Sequence, residues 1–227
     1  MNREEFRAGI QRIGVIPAIR VSSPEEALFA AEAIARGGIP IVELTMTVPK
    51  AVQIIAELVR QNPGLMVGAG TVLDVETARQ CVDAGVTFLT STGLDLEVVE
   101  FAISARVPVI PGALTPSEVI TAWKAGADFV KIFPCTQVGG PSYIRALRAP
   151  LPQIPLIASG GVTQQNAPDF LNAGAAALGV GRDLVPEEAI RLRKFDWIQE
   201  LAHRFVQMVE RAHSHNHTRS GADRREH

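Results

Sequence analysis

One unit recurs eight times along this chain: an amphipathic helical stretch, a Gly or Pro stop, then a short apolar run. The apolar runs cover residues 13–20, 40–46, 65–69, 86–90, 107–110, 127–133, 154–158 and 176–180, and their starts lie 20 to 27 residues apart. Strands that are apolar along their whole length belong to parallel sheets covered on both faces. Eight βα units meet the count at which such a sheet closes into a barrel. The expected fold is therefore α/β, a single-domain (β/α)8 TIM barrel over residues 1–211. Segments 24–36, 48–61, 75–84, 95–105, 116–124 and 164–172 read as outer helices, with Gly37, Gly85, Gly126 and Gly174 as left-handed caps. An extra N-terminal helix over residues 1–11 is expected at the barrel bottom, and residues 195–211 as a final helix docked outside. A doubly wound open sheet is the competitor, but Arg20-Val-Ser-Ser-Pro-Glu25 follows the first strand where a Gly-x-Gly-x-x-Gly would stand.

The polar residues limit the chemistry. All five histidines lie at or beyond His203, so the first 202 residues hold none. A Ser-His-Asp triad or a His-rich zinc site in the barrel is thereby disfavoured, and catalysis has to use carboxylates, lysine, arginine, hydroxyls and backbone. The tail 212–227 carries the other four histidines without any apolar period, and is expected to be disordered and solvated. A net charge of −2 offers no summed positive field for nucleic acid or an anionic membrane. No apolar run approaches the roughly 18 residues of a membrane span. Two cysteines make no disulfide framework, and no basic, then apolar leader opens the chain. A cytoplasmic location and small-molecule ligands are the expectation, with no cofactor and no metal.

Lys131 is one of only four lysines against eighteen arginines, and it lies inside the apolar run Ala127-Asp-Phe-Val-Lys-Ile-Phe133. Desolvation favours the neutral amine, the form that condenses with a carbonyl to give a Schiff base. The competing reading is an amine that snorkels to water or pairs with a carboxylate. In the second run, Glu43, Thr45 and Thr47 share one face by the strand period of two. If that face is the lumen, Glu43 needs a partner, and Lys131 on the matching face of the sixth run, with Phe129 and Phe133, is the natural one. Glycine-rich segments follow the third, fifth, seventh and eighth runs: Gly68-Ala-Gly-Thr-Val72, Pro111-Gly-Ala-Leu-Thr-Pro116, Ser159-Gly-Gly-Val162 and Gly179-Val-Gly-Arg182. In barrels, the last two positions frequently bind phosphate through backbone N–H groups, and Arg182 adds a charge-assisted donor there.

These motifs, in this order, resemble the class I 2-keto-3-deoxy-6-phosphogluconate (KDPG) aldolases, a family that includes 4-hydroxy-2-oxoglutarate (KHG) aldolases. The resemblance runs from about Ile10 to Met208. It implies a homotrimeric TIM barrel in which Lys131 forms a Schiff base with pyruvate and Glu43 is the general acid-base. It also implies that Thr71 helps hold the pyruvate carboxylate and that Gly160 and Gly161 hold the phosphate. Pro111, Phe133 and Gly181 join the expected substrate-binding set. Three positions depart from the family pattern. Thr47 stands where some members carry a carboxylate-clamping arginine. Members with a similar Thr-Val-Pro segment carry that arginine at the end of strand one, where this chain has Arg20. Thr92 replaces the proline of a Ser-Pro-Gly segment, and Arg182 replaces a serine. Two rival activities use the same residues: a metal-free sugar-phosphate isomerase or epimerase with Glu43 and Lys131 as an acid-base pair, and a sugar-phosphate sensor without turnover. Within the aldolases, the galacto epimer of the substrate stays open.

Overall fold

Short strands that are buried on both faces must be covered by helices on one side and by packed side chains on the other. That is the arrangement in the computed structural model, which describes residues 2–223. Helix α1 (Arg3–Ile13) comes first. Strands β1 (Val15–Ile19), β2 (Ile41–Thr45), β3 (Met66–Gly70) and β4 (Phe88–Thr90) then alternate with helices α2 (Pro24–Arg36), α3 (Ala51–Gln61), α4 (Val75–Asp83) and α5 (Leu96–Ser104). The second half holds β5 (Val109–Ile110), β6 (Gly112–Ala113), α6 (Pro116–Lys124), β7 (Val130–Ile132), α7 (Pro141–Arg148), β8 (Leu156–Ser159), α8 (Ala167–Asn172), β9 (Ala177–Val180), α9 (Glu187–Arg191) and α10 (Phe195–Asp223).

All strand pairs are parallel, and the sheet runs β5-β4-β3-β2-β1-β9-β8-β7-β6. The two ends of this sheet are separated by one residue, Pro111, so it curls round nearly to closure. Pro111 lacks the N–H that would continue the ladder. Its carbonyl still accepts from the Lys131 N–H at 2.9 Å, and the Gly112 N–H turns to the Gly93 carbonyl at 3.1 Å. The fifth apolar run is thus divided rather than ended at Ile110.

Helix starts follow side-chain caps: Ser23, Asp74, Asp95 and Thr115 each accept from a first-turn N–H. Asp95 is the cap of α5 and not its first residue. The segment expected to be helical from residue 48 enters α3 only at Ala51, after Pro49 and a left-handed Lys50 (φ 58°). Gly37 has φ −75° and Gly38, at φ 94°, takes the left-handed position after α2. Helix α10 continues to Asp223, past residue 211 where the sequence reading ends the folded domain. Ala212 of this helix is still buried. Residues 224–227, the end of the expected tail, lie outside the described residues.

One end of the lumen is plugged by aromatic rings. Phe6 of α1 packs tilted against Phe88 and edge-on against Phe129, at centroid distances of 5.5 and 6.3 Å. Gly68 leaves the space that the Phe88 ring fills, since a Cβ there would lie 2.2 Å from it. The buried Asp128 carboxylate ties α1 to this end by accepting from Arg3 Nε (2.9 Å), Arg7 Nε (3.2 Å) and the Val109 N–H (3.0 Å).

Candidate active site

At the other end of the lumen lie the two ionisable side chains that the sequence pairs. Glu43 is central in β2, Lys131 is central in β7, and Lys131 Nζ donates to Glu43 Oε1 at 3.4 Å. They are 4% and 6% exposed. Removing one partner of such a pair leaves an uncompensated charge. The strand register explains how the carboxylate fits. Glu43 pairs with Gly68, Thr45 pairs with Gly70, and a Cβ on Gly70 would sit 2.2 Å from Glu43 Oε1. The Glu43 side chain therefore lies over a bare stretch of β3, in space that any larger residue at position 70 would occupy. Lys131 Nζ also sits 5.8 Å from the centroid of the Phe133 ring, within cation-π reach. The other lysines, Lys50, Lys124 and Lys194, are exposed.

A cavity of about 1020 Å³ opens over this pair. Of the expected site residues, Arg20, Glu43, Lys131, Phe133, Gly160, Gly161, Gly181 and Arg182 line it. Thr47, Thr71 and Pro111 are not among its lining residues. The Thr47 hydroxyl bonds to Thr45 Oγ1 at 2.7 Å beside the mouth, Thr71 adopts a left-handed backbone (φ 60°), and Pro111 acts through its carbonyl on the Lys131 backbone. Five arginine and lysine side chains face the cavity, Arg20, Lys131, Arg182, Arg191 and Arg193. Among the facing carboxylates, Glu26 accepts the Ser22 N–H at 2.8 Å and Asp183 the Gln164 N–H at 2.7 Å. Glu43 and Glu187 line it too, so cationic side chains outnumber carboxylates only by five to four.

The loop after β8 is shaped by close packing. Gly160 and Gly161 have φ of 87° and 82°. A Cβ on Gly161 would lie 2.3 Å from Thr136 Oγ1, and one on Gly160 would lie 2.9 Å from Pro134 Cα. Both positions exclude side chains, which lets a ligand approach the backbone. The Asp183 bond to Gln164 fastens this loop to the one after β9. Cys135 follows Pro134 here, but burial pushes its thiol up to about 11, so it stays protonated and unreactive near neutrality.

The cavity also holds residues that the sequence did not single out. Asp183 flanks a motif that was noticed, Gly179-Val-Gly-Arg182, and its placement follows from that motif. Arg191 and Arg193 come from the end of α9 and the turn beyond it, a polar stretch with no motif to mark it.

Comparison with known proteins gives four further findings. Residues 7–201 match the family model described as KDPG and KHG aldolase. A 2-dehydro-3-deoxy-phosphogluconate aldolase of Pseudomonas aeruginosa is 31% identical over 82% of this chain and 83% of its own. A 2-dehydro-3-deoxy-6-phosphogalactonate aldolase of Escherichia coli is 35% identical over 76% of this chain and 85% of its own. Among solved structures, a KDPG aldolase from Legionella pneumophila, with pyruvate captured at low pH as a covalent carbinolamine intermediate, superposes with a TM-score of 0.82. It is 32% identical over 87% of this chain and 96% of that one.

Proposed function

The chain belongs to the KDPG and KHG aldolase family, and from that premise we propose that it is a class I aldolase. It cleaves 2-keto-3-deoxy-6-phosphogluconate to pyruvate and glyceraldehyde 3-phosphate, and acts on 4-hydroxy-2-oxoglutarate to give pyruvate and glyoxylate. The observation that carries this reading is the buried Lys131 amine held 3.4 Å from a buried carboxylate beneath a cavity that Arg20, Arg182 and the glycines Gly160, Gly161 and Gly181 also line.

In the proposed mechanism the Lys131 amine adds to the C2 ketone, and the carbinolamine loses water to give a protonated imine. Glu43 takes the C4 hydroxyl proton through a water, the C3–C4 bond breaks, and its electron pair passes into the imine to form an enamine. The aldehyde leaves. Glu43 then returns a proton to the enamine carbon, and hydrolysis releases pyruvate and the free lysine. The imine is itself the electron sink, so no metal or cofactor enters any step. Arg20 would hold the α-keto carboxylate, with Thr71 and Thr47 near that end. Gly160, Gly161, Gly181 and Arg182 would receive the distal phosphate, and Phe133 would flank the amine.

The same proposal takes β5 and β6 as one strand interrupted at Pro111, which makes a single-domain (β/α)8 barrel over residues 1–211 with α1 as its extra helix. The assembly implied by the resemblance is a homotrimer, and the two free cysteines suit a reducing compartment such as the cytoplasm. The galacto epimer is the second substrate reading, favoured by the 35% identity to the galactonate-type relative. Pyruvate release measured side by side from the gluco epimer, the galacto epimer and 4-hydroxy-2-oxoglutarate tests the assignment. The gluco epimer should turn over fastest. Release from none of the three would refute the aldolase reading, and a preference for the galacto epimer would move the substrate to it.

A further inference from the structure

Thr90 presents an unexplained hydroxyl. It ends β4, it is 2% exposed, and its Oγ1 is the one buried side-chain N or O atom without a hydrogen-bond partner among the described residues. Buried polar groups are nearly always paired, and an exception calls for a cause. A valine would fill the same shape without leaving a donor unmet.

The orientation of Thr90 follows from two glycines. A Cβ on Gly68 would strike the Phe88 ring, and a Cβ on Gly70 would strike the Glu43 carboxylate, each at 2.2 Å. Gly68 and Gly70 are two residues apart in β3 and share a face, so Phe88 and Glu43 lie on that face as well. Thr90 is two residues beyond Phe88 and therefore faces the lumen too. Carrying the Gly68↔Phe88 register two residues forward sets Thr90 beside Gly70, the residue that the carboxylate lies over. Neighbouring strands are about 4.8 Å apart, which sets Thr90 one strand spacing from the residue that the carboxylate lies over. Lys131 is likewise two residues beyond a ring of the same plug, Phe129, and so faces the lumen as well.

We infer that Thr90 is a positioning residue that takes over the Glu43 carboxylate once Lys131 has become an imine. The inference rests on the Schiff-base reading above. In the free protein Lys131 Nζ donates to Glu43 Oε1. When the amine adds to C2 and water leaves, the nitrogen keeps a single N–H and is drawn to the substrate. A buried carboxylate then lacks a donor, and the unpaired Thr90 O–H beside Gly70 supplies one. Held through one oxygen, the carboxylate presents the other to the substrate carbon. There it takes a methyl proton from the pyruvyl imine, leaving the enamine, and gives it back.

Two variants and two readouts separate this role from a structural one. Thr90→Val keeps the shape and deletes the donor, whereas Thr90→Ser keeps the donor. Borohydride trapping of pyruvate reports imine formation, and exchange of the pyruvate methyl protons in deuterated water reports the step that Glu43 performs. Thr90→Val should melt no lower than the parent and trap pyruvate at the parental rate. Its exchange should fall roughly ten- to a hundredfold at saturating pyruvate, the scale of one hydrogen bond to a charged group. Thr90→Ser should restore exchange. Parental exchange in Thr90→Val overturns the inference, as does a Thr90→Ser variant that is equally slow, or trapping that falls in step with exchange. A wild-type protein that traps no pyruvate would overturn the aldolase reading itself.

Discussion

The most specific consequence of this geometry concerns a residue that touches no substrate, Gly70. A methyl group there would lie 2.2 Å from Glu43 Oε1 and 2.6 Å from both Cδ and Cγ. Carbon and oxygen in contact need well over 3 Å, so Gly70→Ala must push the carboxylate aside by about 1 Å or more, and misplacement of that size costs about a hundredfold in rate. Gly70 is not among the residues with positive φ, so alanine meets no backbone strain there. The stability cost is therefore that of overpacking alone, about 1 to 3 kcal/mol, or a few degrees of melting temperature for a domain of this size. Methyl-proton exchange of pyruvate in deuterated water should fall about a hundredfold in Gly70→Ala. Imine trapping by borohydride should fall much less, because the Lys131 amine keeps its place. Unchanged exchange would refute the reasoning, since a carboxylate that works equally well when displaced is not the proton carrier.

Three other expectations follow from named contacts. Glu43→Gln should keep imine formation and lose about 10²- to 10⁴-fold in turnover and exchange, the usual worth of a positioned general base; an unchanged exchange rate would remove Glu43 from the mechanism. Arg182→Ala should weaken the phosphorylated substrate by roughly ten- to a hundredfold and leave 4-hydroxy-2-oxoglutarate nearly untouched, while Arg20→Ala should harm both. Equal losses for Arg182→Ala, or none for Arg20→Ala, would contradict that division. Glu118 accepts the Leu114 and Thr115 N–H groups and the Thr115 hydroxyl, which hold its carboxyl below the ordinary 4.5. The stability it contributes is thus present above 4.5 and is lost as pH falls through the lower folded-state value. Urea midpoints should therefore separate wild type from Glu118→Gln at neutral pH and converge in acid; a gap that is independent of pH would show that the charge is not involved.

The barrel units were legible because each carries its own local signals. Apolar runs, amphipathic helical stretches and glycine stops recur with a spacing that needs no knowledge of distant contacts. Lys131 was legible for the related reason that a lysine inside an apolar run is conspicuous. What stayed hidden depends on register between strands. Gly70 looked like part of a glycine-rich loop, and only the pairing of β2 with β3 reveals it as the floor under Glu43. Thr90 was one hydroxyl at the end of an apolar run, and its unmet Oγ1 emerges only when every neighbour is in place. Arg191 and Arg193 line the cavity together with Glu187 and Ile190 of α9, which no local pattern announces. The break at Pro111 was readable in principle, because a proline inside an expected strand removes a ladder donor.

The central claim is that Lys131 is the nucleophile. Pyruvate and borohydride, followed by peptide mapping, test it most directly. A buried lysine next to a single carboxylate should be the one that forms and retains the reduced pyruvyl adduct, with loss of activity in proportion to labelling. Lys131→Arg should take up no label and should not turn over. An adduct on the exposed Lys50, Lys124 or Lys194, or full turnover by Lys131→Arg, would contradict the account.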